Sequence, residues 1–195
     1  MPARDYSGRM ETPLFLSGQL LLAMPGMGDP RFDRAVIAVC LHDENGALGV
    51  GIGTPLEGIG LHGLLRQLDL ETAHVADRPV LFGGPVESQR GFVLHSRDWG
   101  GEDTIEVTGR WSMTGTLDVL REISEGRGPK HWLVALGYAG WGAGQLDDEM
   151  TRHGWFPAEA TDDLLFETPV EQRWAKAFAQ SGVDIRLLSA TPGRA

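Results

Sequence analysis

The chain carries two apolar runs, AVIAVCLH and ALGVGIG, separated by only the few residues DENG, and this arrangement constrains the fold more than any other feature. Asn45 and Gly46 are residue types that enter the left-handed backbone region cheaply, as a tight hairpin turn requires, so the two runs are expected to be antiparallel neighbours. Upstream, LFLSGQLLLAMP reads as a buried strand ended by Pro25, and GMGDPRFDR follows as a tight irregular loop in which Asp29 before Pro30 signals a turn.

Further along, Leu61, Leu64, Leu65 and Leu68 recur at helical spacing and predict a short amphipathic helix. PVLFGG and GFVLHS are two short strand candidates, with GGPVESQR as a glycine-proline turn between them. TIEVTGRW alternates Ile105, Val107 and Gly109 against Thr104, Glu106 and Thr108, a strand with half its side chains in solvent. TLDVLREISEG places Leu117, Leu120 and Ile123 three apart behind Thr116 as a cap, with Gly126 near its end, and predicts a helix. HWLVALGYAGWGAGQLDDEM passes from an apolar strand through a glycine-rich turn into a helix starting near Ala143. In PVEQRWAKAFAQSG, Val170, Trp174 and Phe178 fall four apart between Pro169 and Gly182, which predicts a helix packed through Trp174 and Phe178.

Nothing repeats at a fixed period and no low-complexity tract divides the chain, so one domain over 13–188 is the simplest partition, with a flexible arm at 1–12 and a flexible tail at 189–195. A chain of 195 residues can bury roughly 70% of its unfolded surface. Hairpin signals mixed with separated helices favour an α+β domain with a mixed, largely antiparallel sheet and flanking helices, over a doubly wound parallel sheet.

Composition narrows function. No apolar run reaches the 18 or so residues needed to span a bilayer, and the N-terminus lacks the apolar core of a secretory signal. Cys40 is the sole cysteine and lies in an apolar run, which fits a reduced thiol in the cytoplasm. The formal charge of −10, with Lys130 and Lys176 as the only lysines, opposes attraction to phosphate backbones and anionic membranes.

The glycines of GYAGWGAGQL fall at every second position, unlike GxGxxG or GxxxxGK[ST], and Asp147, Asp148 and Glu149 would repel a phosphate from the following helix start. Cys40 and His42 with Asp43 and Glu44 are the nearest approach to a metal cluster, yet core packing accounts for them better, and no metal or cofactor is expected. His95 and Ser96 are adjacent on a strand and point to opposite faces, so they do not form a dyad. The polar turns carry more: Asp29, Arg31, Asp33 and Arg34, then Glu87 and Arg90, then Gln145 and Glu149 all sit on expected loops or helix edges. Brought to one side of the sheet, they would line a cleft whose arginines hold a carboxylate or a partner backbone. The bland alternative is that these residues satisfy turns and surface ion pairs.

GQLLLAMPGMGDPRFDRAVIAVCLHDENGALG, GGPVESQRGFVLHS and ALGYAGWGAGQLDDEM together resemble the shared motifs of the AlgH/YqgE family, and RWAKAFAQSGVDIRLLS is similar to its usual ending. One departure is Gly53, which stands where the family commonly has asparagine before a proline segment. The resemblance implies a compact cytoplasmic bacterial protein with no established activity, cofactor or catalytic residues. Some members are labelled transcriptional regulators, which would demand a basic face; Arg121, Arg127, Lys130 and His131 are the local basic concentration. The expected function is a noncatalytic binding module for a small anionic ligand or a protein partner, with direct DNA regulation and an enzyme of unrecognised active site as the alternatives.

Overall fold

A computed structural model describes residues 15–152 and 154–188. The arm at 1–12 and the tail at 189–195 lie outside them. The hairpin forms as expected, from β2 (Val36–Asp43) and β3 (Gly46–Gly51), after β1 (Gln19–Ala23) and a short 3-10 turn at Pro30–Phe32. Its turn differs in detail. Asp43 pairs with Gly46, so Glu44 and Asn45 form the loop, and the Asp43 carboxylate accepts the Asn45 N–H at 2.8 Å. Asn45 is not left-handed; Gly46 alone has positive φ there, and a Cβ on it would lie 2.3 Å from the Trp141 carbonyl oxygen. Glycine is needed at this point because the neighbouring strand comes so close.

The further strands and α-helices are β4 (Pro55–Gly60), α1 (Leu61–Gln67), β5 (Pro79–Phe82), β6 (Val86–His95), β7 (Ile105–Val107), β8 (Trp111–Thr114), α2 (Leu117–Ser124), β9 (Trp132–Gly142), α3 (Gln145–Thr151), β10 (Trp155–Glu159) and α4 (Arg173–Gln180), with short π or 3-10 turns at Asp163–Glu167, Val170–Gln172 and Ile185–Leu187. Strand order is β10-β1-β2-β3-β9-β6-β8-β7, with β5 against β9 and β4 against β5. Among the described residues only β5 and β9 pair in parallel, which gives the mixed, largely antiparallel sheet of the α+β expectation. β9 is the spine: its first half pairs with β6 and its second half with β3. Between the halves Gly137 turns to φ +78°.

Three expectations are corrected. The segment VESQR belongs to β6 and is not part of the turn, which contracts to Gly83-Gly84-Pro85. TIEVTGRW is two strands, β7 and β8, because Thr108 and Gly109 take left-handed φ of +49° and +69° and reverse the chain. The run GYAGWG is strand rather than turn, and α3 starts at Gln145 behind a left-handed Gly144. Gly137 and Gly84 serve a crossing: Gly84 passes over β9 so closely that a Cβ on it would lie 2.1 Å from the Tyr138 carbonyl carbon.

The curled sheet has a central core that includes Leu20, Leu22, Val36, Leu94, Trp111 and Phe178. α4 closes it as its spacing predicts, through buried Trp174 and Phe178, and the Trp174 Nε1–H donates to the Ala23 carbonyl at 3.0 Å. Buried Arg173 donates to the Ile52 carbonyl at 2.6 Å, and burial brings its pKa down to about 10, so it stays charged at neutral pH. A second core, with α1 and α2, includes Leu61, Leu65, Val80, Val119, Leu120 and Ile123. In α2 the buried face is Val119, Leu120 and Ile123, while Leu117 is exposed, and Thr116 hydrogen-bonds the Asp118 carboxylate instead of capping the backbone. The third core, under α3, holds Ala139, Trp141, Leu146 and Trp155. Among the described residues no helix is long and apolar enough to cross a membrane.

Candidate functional site

The third core is only partly covered. Trp141 and Ala139 project from β9 and Trp155 from β10, and α3 lies over one end of this face while the chain from Met24 to Phe32 lies over the other. The space between them is a cleft of about 720 Å³, within the range of small-molecule sites. Phe32 meets Trp155 edge-on at 5.6 Å between ring centroids, and Trp155 meets Trp141 edge-on at 6.2 Å, which makes an aromatic floor. Met24, Met27, Pro85 and Val86 add apolar walls. Arg31, Arg152, Asp29, Gln145 and Glu149 supply the polar groups.

Glu149 organises this floor. Its Oε2 accepts the indole N–H of Trp141 and that of Trp155, each at 2.9 Å, and its Oε1 accepts from Gln145 Nε2 at 3.1 Å. Gln145 Oε1 in turn accepts the Gly142 N–H at 3.0 Å. A carboxylate has about four acceptor positions, so this one is largely committed to fixing both tryptophans. At the rim, Asp29 caps the 3-10 turn through the Arg31 N–H and also grips the Arg31 guanidinium at 2.7 Å. That side-chain hydrogen bond holds the Asp29 carboxyl below its ordinary range and raises Arg31. Arg152 makes no ion pair among the described residues.

Of the expected site residues, Asp29, Arg31, Gln145 and Glu149 therefore come together, and the other four do not line the cleft. Asp33 is exposed, and the Arg34 guanidinium lies 5.4 Å from the Trp174 ring centre. Glu87 and Arg90 pair with each other at 3.3 Å, with Arg90 also over Phe92, because the register of β6 with β9 breaks between Val86 and Gly91, where Glu87 takes a left-handed φ of +45°, and both side chains lie exposed. Sequence reasoning missed Arg152, Trp155, Met24 and Met27. Gly154-Trp155 lay in a stretch with no periodic pattern, and the only available signal was an uncommon tryptophan beside a glycine.

The other candidate chemistries are engaged elsewhere. Cys40 is buried, and desolvation pushes its thiol far above the ordinary cysteine range. His42 Nδ1 accepts the Leu16 N–H at 3.0 Å, and its Nε2 lies 3.7 Å from Asp147. No group of three His, Cys, Asp or Glu among the described residues is arranged to hold a metal. His95 is fully buried in a chain in which Thr104 bonds Thr114 at 2.8 Å and Thr114 bonds His95 Nε2 at 2.9 Å, while Nδ1–H donates to the Ser96 carbonyl at 2.8 Å. In the basic segment, Arg127 is paired with Glu122 and Glu125, and His131 with Glu167.

Comparison with known proteins gives a consistent picture. The family model described as AlgH-like (DUF179) matches residues 20–186. A UPF0301 protein of Rhizorhabdus wittichii is 61% identical over 186 residues, covering 95% of this chain and 100% of the relative. Another, from Novosphingobium aromaticivorans, is 56% identical over 181 residues, covering 93% and 97%. The solution structure of the AlgH protein from Pseudomonas aeruginosa superposes with a TM-score of 0.77 at 39% identity, covering 96% of this chain and 100% of that one. A crystal structure of a Corynebacterium diphtheriae protein shares the fold, with a TM-score of 0.73 at 21% identity over 92% and 94% of the two chains.

Proposed function

The chain belongs to the AlgH-like family, and from that premise we propose that it is a binding module whose cleft takes a small ligand with a flat apolar body and an anionic group. The observation that carries this reading is the juxtaposition of a fixed aromatic floor with arginine. Trp141, Trp155 and Phe32 offer ring surface already held in place, and Arg31 and Arg152 stand at the same cleft. A floor fixed before binding loses little side-chain entropy when a ligand arrives. Arg152 is the stronger candidate for the anion, since Arg31 is already gripped by Asp29.

Binding fits these groups better than catalysis does. Glu149 is the carboxylate placed deepest in the hydrogen-bond network, and its oxygens are spent on orienting two indoles rather than free to move a proton. The described lining contains no Ser, Thr, Cys, Lys or Tyr to act as a nucleophile. DNA regulation draws little support from the basic segment, where Arg127 and His131 face carboxylates of their own.

The test is a titration of the protein with 3-phenylpropionate, followed by tryptophan fluorescence. The expected result is a saturable change that Arg152→Ala weakens by about tenfold or more, the scale of a lost charge-assisted hydrogen bond at about 1.5–3 kcal/mol. No saturable change at millimolar probe, or an unchanged affinity in Arg152→Ala, would overturn the assignment.

A further inference from the structure

The backbone beside the aromatic floor says what kind of ligand the cleft suits. On β3, Gly51 N–H donates to the Gly83 carbonyl at 2.7 Å, on the side away from β2. With a strand period of two, Ala47 and Gly49 turn the same way, toward β9, and their partners there are Trp141 and Ala139. Gly140 therefore points its N–H and C=O to the opposite edge of β9. The Gly142 N–H confirms this direction, because it leaves the ladder to reach Gln145 Oε1. On that opposite edge the last pairing with β6 is Val86 with Tyr138, after which the chain turns away through Pro85, a residue with no N–H. Gly140 is exposed and lines the cleft beside Pro85 and Val86.

We propose that the cleft binds a short peptide with a free carboxylate, whose backbone pairs with the N–H and C=O of Gly140 as an added strand, whose apolar side chain lies on Trp141 and Trp155, and whose carboxylate meets Arg152. An open strand edge presents one donor and one acceptor at fixed separation, which a peptide unit matches and a simple acid does not. The ends of the edge limit the length. Pro85 and Val86 close it on one side and the Gln145 side chain takes the Gly142 amide on the other, so the paired stretch is about two residues. A cleft of about 720 Å³ is also the size for a di- or tripeptide rather than a long segment. Arg152 supplies the charge complement, since it has no carboxylate of its own among the described residues.

This proposal rests on the binding reading above, and the experiment separates the two. The protein is titrated with 3-phenylpropionate, which has the ring and the acid, and with N-acetyl-alanyl-phenylalanine, which adds two amides. The expected result is that the dipeptide binds at least tenfold tighter, and that Gly140→Pro, which removes the N–H facing away from β3, erases this advantage so that the two probes bind that variant alike. As a measurement on the unaltered protein, amide exchange at Gly140 should slow with the dipeptide and not with phenylpropionate. Equal affinities for the two probes, or a Gly140 amide that exchanges as fast with dipeptide as without, overturn the peptide assignment while leaving the binding module standing. If neither probe binds, both assignments fall.

Discussion

Glu149 and His95 illustrate two ways of satisfying a polar side chain in a partly or fully buried place. Glu149 gathers both indole N–H groups of the floor on one oxygen, and Trp141 and Trp155 are themselves buried. Removing the acceptor leaves two buried donors unpaired, at about 1–3 kcal/mol each before water in the open cleft offsets part of the loss. Glu149→Ala should therefore lower stability by about 2 kcal/mol in urea unfolding, and Glu149→Gln, which keeps one oxygen, by roughly half as much. Equal stability of all three proteins would show that the indoles do not depend on this carboxylate.

His95 is held neutral. Desolvation lowers its pKa, against smaller opposing contributions from the Ser96 carbonyl and Asp98. Thr114 places its hydroxyl 2.9 Å from Nε2, and the buried surroundings give an imidazolium formed there no water to solvate its charge. A base with a depressed folded-state pKa lets the unfolded chain take up the proton first. The stability contribution of neutral His95 is thus complete above the unfolded value of about 6.5 and is lost as pH falls from there toward the lowered folded value. Thermal unfolding of the wild-type protein should fall more steeply between about pH 7 and pH 5 than that of His95→Gln, which carries no such proton. Parallel curves would contradict the assignment.

At the scale of elements, the bend of β9 and the crossing by Gly83-Gly84 form one device. Gly137 has φ of +78°, and a Cβ there would lie 2.3 Å from the Gly84 carbonyl oxygen. Gly137→Ala combines the left-handed penalty, about 1–2 kcal/mol, with a backbone clash that must displace the crossing, and should cost about 3 kcal/mol or more. Gly144→Ala has the same sign of φ, at +72°, with nothing within 4 Å of the new methyl, and should cost only the first part. Urea midpoints of the two variants check the difference. This device also explains what was legible in the sequence. The β2–β3 hairpin and the Trp174–Phe178 face of α4 were readable because their partners or their period lie close in sequence. Gly137 looked like part of a turn because its role depends on a crossing by residues more than fifty positions earlier. The β7–β8 reversal was hidden because Thr108, an ordinary strand former, takes the left-handed position.

For the whole molecule, the sheet curls around one core and leaves a second face only part-covered, and the cleft is that gap. Four of the eight residues singled out in the sequence, Asp29, Arg31, Gln145 and Glu149, line this gap, and they were legible as polar residues at turns and a helix edge. The floor was not visible, since only the sheet register brings Trp141 beside Trp155 from strands at opposite ends of the β10-β1-β2-β3-β9 array. The claim that this gap is a ligand site is tested most directly by the indole N–H resonances of an amide correlation spectrum during titration with 3-phenylpropionate. The account predicts that the signals of Trp141 and Trp155 move first and together, with those of Trp111 and Trp132 still. Movement of Trp111 or Trp132 while the two floor indoles stay fixed would contradict it.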